Sequence, residues 1–115
     1  MFNTNLIKTP CYVIDEAKLI KNLEILKTVQ DRTDCKILLA QKAFSNFNFY
    51  PLIGKYLAGT TASGINEAML CHNYMPYAEN HIFAPAFTEK DMAEIVKICD
   101  HIVFNSFSQW DMHKN

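Results

Sequence analysis

The stretch ILLAQKAFS, residues 37 to 45, runs an apolar segment through Gln41 straight into Lys42. A strand apolar on both faces belongs inside a parallel sheet covered by helices, and in such folds the chemistry collects at the carboxyl ends of the strands. An ammonium held there in partly desolvated surroundings has its charged form disfavoured, which lowers its pKa from the ordinary ~10.4. Lys42 is therefore a candidate Schiff-base nucleophile. Position alone also allows a lysine that reaches from a strand end into solvent or pairs with a carboxylate.

The other residue types that could do chemistry are less well arranged. Cys11, Cys35, Cys71 and Cys99 form no CxxC pair and no Cys/His cluster at zinc-ligand spacing, so reduced, mostly buried thiols and no metal site are expected. His81 and His101 open predicted strands, which puts them at the end of a parallel fold that serves stability. His72 lies late in a predicted helix and His113 near the chain end, where helix-terminus or solvent roles suffice. The aromatics of AFSNFNFYP (Phe44, Phe47, Phe49, Tyr50) could roof a site at the end of the first strand, or pack as a loop onto helices.

The elements that would position these residues alternate regularly. TPCYVID is a short strand candidate, and residues 16 to 30 put Leu19, Ile20, Leu23 and Leu26 on one helical face behind Asp15 as N-cap. KILLAQ is the next strand. Pro51 opens a helix over PLIGKYLA that Gly59 can close. TTAS reads as a strand, with Ser63 capping the helix INEAMLCHNYM, and HIFAPA as another. Thr88 caps the following helix, on which Met92, Ile95, Val96 and Cys99 form an apolar stripe. HIVFNS is the last strand; Ser106 with Gln109 then makes a capping box for a helix just beginning, so a cap explains Ser106 without chemistry, and Asn105 precedes it at the same strand end. Strand starts near Lys36, Thr60, His81 and His101 are separated by 24, 21 and 20 residues, a βα period that predicts a parallel α/β fold with right-handed crossovers.

Two architectures fit that period, a doubly wound open sheet and part of a (β/α) barrel. A complete barrel needs eight units and ~250 residues, whereas 115 residues hold about four units after an N-terminal strand. The expectation is the N-terminal piece of something longer. Eleven basic against twelve acidic residues leave a formal charge of -1 with no basic stripe, which gives nucleic acid and anionic membranes no electrostatic support. No secretion signal or membrane-spanning run is present, and the expected location is the cytoplasm.

Taken in order, TPCYVID, NLEIL, ILLAQKAFS, GTTASGINEAML, IFAPAF and HIVFNS make the chain similar to the N-terminal part of pyridoxal-phosphate decarboxylases of the alanine-racemase-like barrel class, and within it to carboxynorspermidine (carboxyspermidine) decarboxylases. That family reads Leu-Lys-Ala-Phe at the most specific element, where this chain has Gln41 in place of the leucine. Pointing inward, Gln41 would set an amide beside the cofactor; pointing outward, it needs a partner. The resemblance implies a TIM-like barrel, about its first half, over residues 16–115, and a segment 1–15 whose strand joins a second, β-rich domain not included here.

It further implies that Lys42 holds pyridoxal 5'-phosphate as a Schiff base, with the cofactor as electron sink for loss of CO₂ from a carboxylated polyamine. Ala40 shares a strand face with Lys42 and could leave room under the ring, ordinary interior packing being the other account. Thr61 and Ser63 fall where related decarboxylases line the cofactor edge, although Ser63 is also a sufficient helix cap. Glu67 falls in the first turn of its helix, where the dipole alone stabilises a carboxylate; several enzymes of the class place a glutamate there near the lysine, but in the ornithine branch it follows the serine by three positions rather than four. The family's phosphate loop, the partner of the ring nitrogen and the dimer-completing β domain lie further along, so the piece alone is expected to be inactive and the full enzyme a homodimer. A diaminopimelate, ornithine or arginine decarboxylase, a non-catalytic pyridoxal-phosphate homeostasis protein, and a small α/β module with a solvated Lys42 remain as other readings.

Overall fold

In the computed structural model, residues 4–114 are described, so residues 1–3 of the expected N-terminal segment and Asn115 lie outside the described residues. Helix α1, Glu16–Thr33, starts where the sequence predicts: the Asp15 carboxylate accepts from the Lys18 amide at 3.1 Å. It runs three residues further than expected and stops at Asp34, which takes a left-handed conformation (φ 55°) that aspartate tolerates. Leu23 is buried and Leu19 and Ile20 half-buried, but Leu26 stays exposed. Before α1, the described residues 7–15 contain no strand where PCYVID predicts one. A strand requires a hydrogen-bonded neighbour, and no strand of the described sheet pairs with this segment.

Four strands follow, each but the last shifted by a residue or two from its expected start: β1 (Leu38–Ala40), β2 (Gly59–Ala62), β3 (Glu79–Phe83) and β4 (His101–Val103). They pair in parallel in the order β1-β2-β3-β4. Successive neighbours joined by helical crossovers keep the helices on one face of the sheet, and among the described strands there is no reversal of order of the kind that marks a doubly wound sheet. Thr60, Ala62, Asn80 and Ile82 are buried on the helix side, while Thr61, His81 and the exposed Phe83 and Val103 lie on the other. The radius of gyration, 16.8 Å, exceeds the ~13 Å of a compact chain of this length, as one uncovered sheet face requires.

The crossovers are α2 (Tyr50–Ile53), α3 (Ile65–Tyr74) and α4 (Glu89–Ile98), with α5 (Phe107–His113) after β4. Pro51 stands in the first turn of α2 as expected, but α2 is one turn long, Gly54 caps it, and Gly59 belongs to β2 rather than closing a helix. Thr88 Oγ1 accepts from the Asp91 amide at 3.1 Å and Ser106 Oγ from the Gln109 amide at 3.2 Å, so both expected caps form. The Ser63 cap does not: Gly64 is the N-cap of α3 and makes no side-chain cap bond. On α4 only Met92 and Ile95 of the expected stripe are buried. Val96 is 58% exposed, because the helix meets α3 and the sheet along a narrower seam than the i, i+4 spacing suggests.

Two clusters make the core. Ala62, Ala68, Ile82, Met92 and Ile95 pack between β2, β3, α3 and α4, and Leu23, Tyr50, Ile53, Leu57, Cys71 and Met75 between α1, α2 and α3. Against the expectation of mostly buried thiols, Cys11 and Cys35 are exposed and only Cys71 is buried, with Cys99 half-buried. The two clusters hold protonated groups with a consequence for pH. Burial, reinforced by the charges of Glu67 and Cys71, pushes the Tyr50 phenol up to about 12 from its ordinary 10.0. Burial likewise raises the Cys71 thiol, and takes Cys99 from 9.0 to about 11. As the pH rises beyond the ordinary values the unfolded chain loses these protons first, so it binds fewer protons than the folded chain and stability falls. The urea midpoint is expected to drop between about pH 9 and about pH 12, from the unfolded thiol value to the folded phenol value; an unchanged midpoint contradicts this account.

Candidate functional site

At the carboxyl end of β1 the chain turns sharply, the amides of Ala43 and Phe44 both donating to the Ala40 carbonyl at 3.0 and 3.3 Å. Gln41 anchors the turn. Its backbone N–H donates to the Thr61 carbonyl at 3.2 Å, extending the β1–β2 ladder. Its side chain, only 1% exposed, enters the helix-side layer, where Nε2 donates to Thr60 Oγ1 at 2.8 Å and Oε1 accepts from the Tyr50 hydroxyl at 2.9 Å. Of the two alternatives for Gln41, the structure has the outward one, with its partners supplied. Every polar atom of this buried relay thereby finds a partner.

Gln41→Leu, which restores the family's usual apolar residue, leaves the Tyr50 hydroxyl without its acceptor and is expected to cost ~1–3 kcal/mol. The double variant Gln41→Leu/Tyr50→Phe removes both partners and should recover part of that loss. A double-mutant cycle in urea measures the coupling, expected in the range ~0.5–3 kcal/mol; additive losses would contradict it.

Lys42 stands in this turn, exposed, and its amine has no hydrogen-bond or ion-pair partner among the described residues. The partly desolvated surroundings expected of it are not supplied by the described residues. Ala40, half-buried, is in register with the half-buried Thr61. Ser63 is exposed, and its amide donates to Glu67 Oε2 at 2.6 Å, so the carboxylate holds the residue before the Gly64 N-cap while no serine hydroxyl caps α3. No contact joins Glu67 to Lys42 among the described residues; the carboxylate instead lies near enough to Tyr50 for its charge to act on the phenol. Ser63, Glu67, Ala84, Phe87 and Asp91 line an open cavity of ≈ 440 Å³ beside the ends of β2 and β3. The aromatics of the β1–α2 connection take the packing alternative: Tyr50 is buried, Phe44 meets Phe49 edge to face at 6.4 Å, and Phe47 stacks on Tyr74 at 4.7 Å.

At the other end of the sheet three ligating side chains meet that the linear spacing does not reveal. Glu79 and His81 share a face of β3, and His101 is in register with His81 on β4. Lys36 holds Glu79 Oε1, while His81 Nε2 lies 2.9 Å and His101 Nε2 4.0 Å from Oε2. The Lys36 ammonium, then His81, hold this carboxyl down at about 2. The signal in the sequence is the pair of strand-opening histidines one βα unit apart, legible only once the register is known.

Fold and site define a parallel α/β segment of repeated βα units with an amine at the carboxyl end of its first strand that is unpaired among the described residues. No protein-family profile matches the chain. It is 42% identical over 104 residues to a carboxynorspermidine/carboxyspermidine decarboxylase of Campylobacter jejuni subsp. jejuni, covering 90% of this chain and 27% of that protein. It is 38% identical over 105 residues to one of the same name from Herminiimonas arsenicoxydans, and 33% identical over 108 residues to a carboxyaminopropylagmatine decarboxylase of Synechocystis, covering 28% of each. The crystal structure of a carboxynorspermidine decarboxylase complexed with norspermidine, from Campylobacter jejuni, superposes on 94% of the chain with a TM-score of 0.91 at 41% identity, using 29% of that chain. The chain is thus homologous to one region of the carboxynorspermidine/carboxyspermidine decarboxylases, and spans a little over a quarter of the length of the relatives it matches.

Proposed function

We propose that this chain is part of a pyridoxal-phosphate-dependent decarboxylase that converts carboxynorspermidine or carboxyspermidine into norspermidine or spermidine, and that Lys42 is its cofactor lysine. The observation that carries the reading is the exposed Lys42 amine at the carboxyl end of β1, without a partner among the described residues, in a chain homologous to these decarboxylases. The sequential strand order supports the first part of a (β/α) barrel, over residues 16 onward. Residues 4–15 pair with no described strand, which supports segment 1–15 as carrying a strand shared with a second domain. A homodimer in the cytoplasm completes the proposal.

The residues at this end fit the cofactor. Among the described residues Lys42 has no ion pair to break before its amine can bond to an aldehyde carbon. Ala40 projects only a methyl beside it, and Thr61 brings a hydroxyl in register with Ala40. Ser63 and Glu67 line the neighbouring cavity. When bound, pyridoxal phosphate supplies an electron sink for the charge left by departing CO₂. Lys42 Nζ would hold the group and, once displaced by the substrate amine, stand as a proton carrier at the same place. Gln41, fixed to Thr60 and Tyr50, would keep the turn that carries Lys42 from shifting.

The test is an absorbance spectrum of the full-length protein with pyridoxal phosphate, followed by borohydride reduction and identification of the labelled peptide. Label on the Lys42 peptide is expected; label scattered over surface lysines, or none, overturns the reading. Turnover of carboxynorspermidine, carboxyspermidine and carboxyaminopropylagmatine side by side decides substrate, the last suggested by the Synechocystis relative.

A further inference from the structure

We propose that Glu79, His81 and His101 form a binding site for a divalent transition-metal ion, Zn²⁺ foremost, which clips β3 to β4 at the amino-terminal end of the sheet. The carboxylate and the two imidazoles each offer a ligand atom, and these atoms all lie within 4.8 Å of one another. Around one tetrahedral zinc with bonds of ~2.0–2.2 Å, ligand atoms stand ~3.4 Å apart. His81 Nε2 and Glu79 Oε2, at 2.9 Å, are already as close as that requires. His101 Nε2 must approach Glu79 Oε2 from 4.0 Å, a side-chain adjustment open to a residue that is 56% exposed on its side chain.

The backbone holds the set in place. His81 and His101 are directly paired in the parallel ladder, with their rings 4.2 Å apart between centroids. Glu79 precedes His81 by two residues and so shares its face of the strand. Lys36 occupies Oε1 and leaves Oε2 toward the imidazoles, an outer partner of the sort that orients a ligating carboxylate. Two imidazoles and one carboxylate suit zinc, cobalt, nickel or iron rather than magnesium or calcium, and three protein ligands leave a fourth position for water. The set lies at the strand end opposite Lys42, so the ion would tie strands together and take no part in chemistry at Lys42. The proposal rests on no part of the decarboxylase reading.

The experiment uses the full-length protein freed of metal by chelator. Zn²⁺ is titrated by calorimetry into wild type, His101→Ala, His81→Ala and Cys35→Ser, the last removing an exposed thiol as a control. Wild type and Cys35→Ser should each bind one equivalent more than either histidine variant, or bind it more tightly by more than the ~10–100-fold that loss of an outer partner costs. Added Zn²⁺ should also raise the urea midpoint of wild type and not that of His101→Ala, whose fold is checked by circular dichroism. Equal binding in wild type and His101→Ala, no binding in wild type, or loss in Cys35→Ser alone would overturn the proposal and leave an ion-paired cluster around Glu79.

Discussion

Lys42→Ala in the full-length protein is expected to abolish the cofactor's Schiff-base absorbance and to lower kcat on the order of 10³-fold or more, the scale on which covalent nucleophiles are lost. The reason is chemical rather than structural. Lys42 is exposed and has no hydrogen-bond or ion-pair partner among the described residues, so its truncation should leave the unfolding free energy, read from urea denaturation, within about 0.5 kcal/mol of wild type. Lys42→Arg is expected to fail as fully, because a guanidinium keeps its proton and cannot serve as the amine nucleophile. Absorbance, kcat and urea midpoint together separate the causes. A variant with unchanged stability that kept both the band and the turnover would assign the cofactor to another residue.

The largest effect on folding is expected at Gly59. A Cβ there would lie 1.9 Å from the Glu79 carbonyl oxygen, 2.7 Å from its carbon and 2.8 Å from the Glu79 nitrogen. These are backbone atoms of the paired strand, in register with Gly59 itself, and no side-chain rotation relieves them. Gly59→Ala must therefore push β2 and β3 apart in the interior of the sheet, breaking the Glu79 N–H bond to the Ala58 carbonyl at 2.9 Å. The cost is expected at or above the upper end of the ~1–3 kcal/mol of ordinary overpacking, a large part of the ~5–15 kcal/mol that holds a native domain together. Gly64→Ala is the comparison: nothing lies within 4 Å of its built Cβ, and it should lose no more than the ~1 kcal/mol of a poorer helix cap. Equal losses at the two glycines, measured by urea denaturation, would refute the clash.

The two predictions concern opposite ends of the same sheet, and the division is physical. Lys42 follows β1 at the carboxyl end, where a turn leaves the sheet. Gly59 and Glu79 sit where β2 and β3 begin, where the Glu79 backbone leaves no room for a Cβ at Gly59 and Lys36, His81 and His101 gather around one carboxylate.

Much of this was legible from the sequence because it depends on local rules. The βα period, the caps at Asp15, Thr88 and Ser106, the helix start at Pro51 and the strand-end position of Lys42 each follow from a few neighbouring residues. Their outcome does not wait on distant parts of the chain. Where the reading failed, contacts outside the local pattern had decided the matter. Ser63 is not the cap because α3 starts one residue later, with Gly64 at the N-cap position and the Ser63 amide held by Glu67. Gly59 was spared a helix end because Glu79, twenty residues on, leaves no room for a Cβ. Gln41, for which the sequence left both directions open, turned outward because Thr60 and Tyr50 together satisfy an amide that no apolar layer would accept alone. The meeting of Glu79, His81 and His101 depends on strand register, which no spacing along a single segment encodes. Sequence determined the elements and the residue that ends the first strand; tertiary structure decided which side chains face one another, since that is set by packing and pairing between segments.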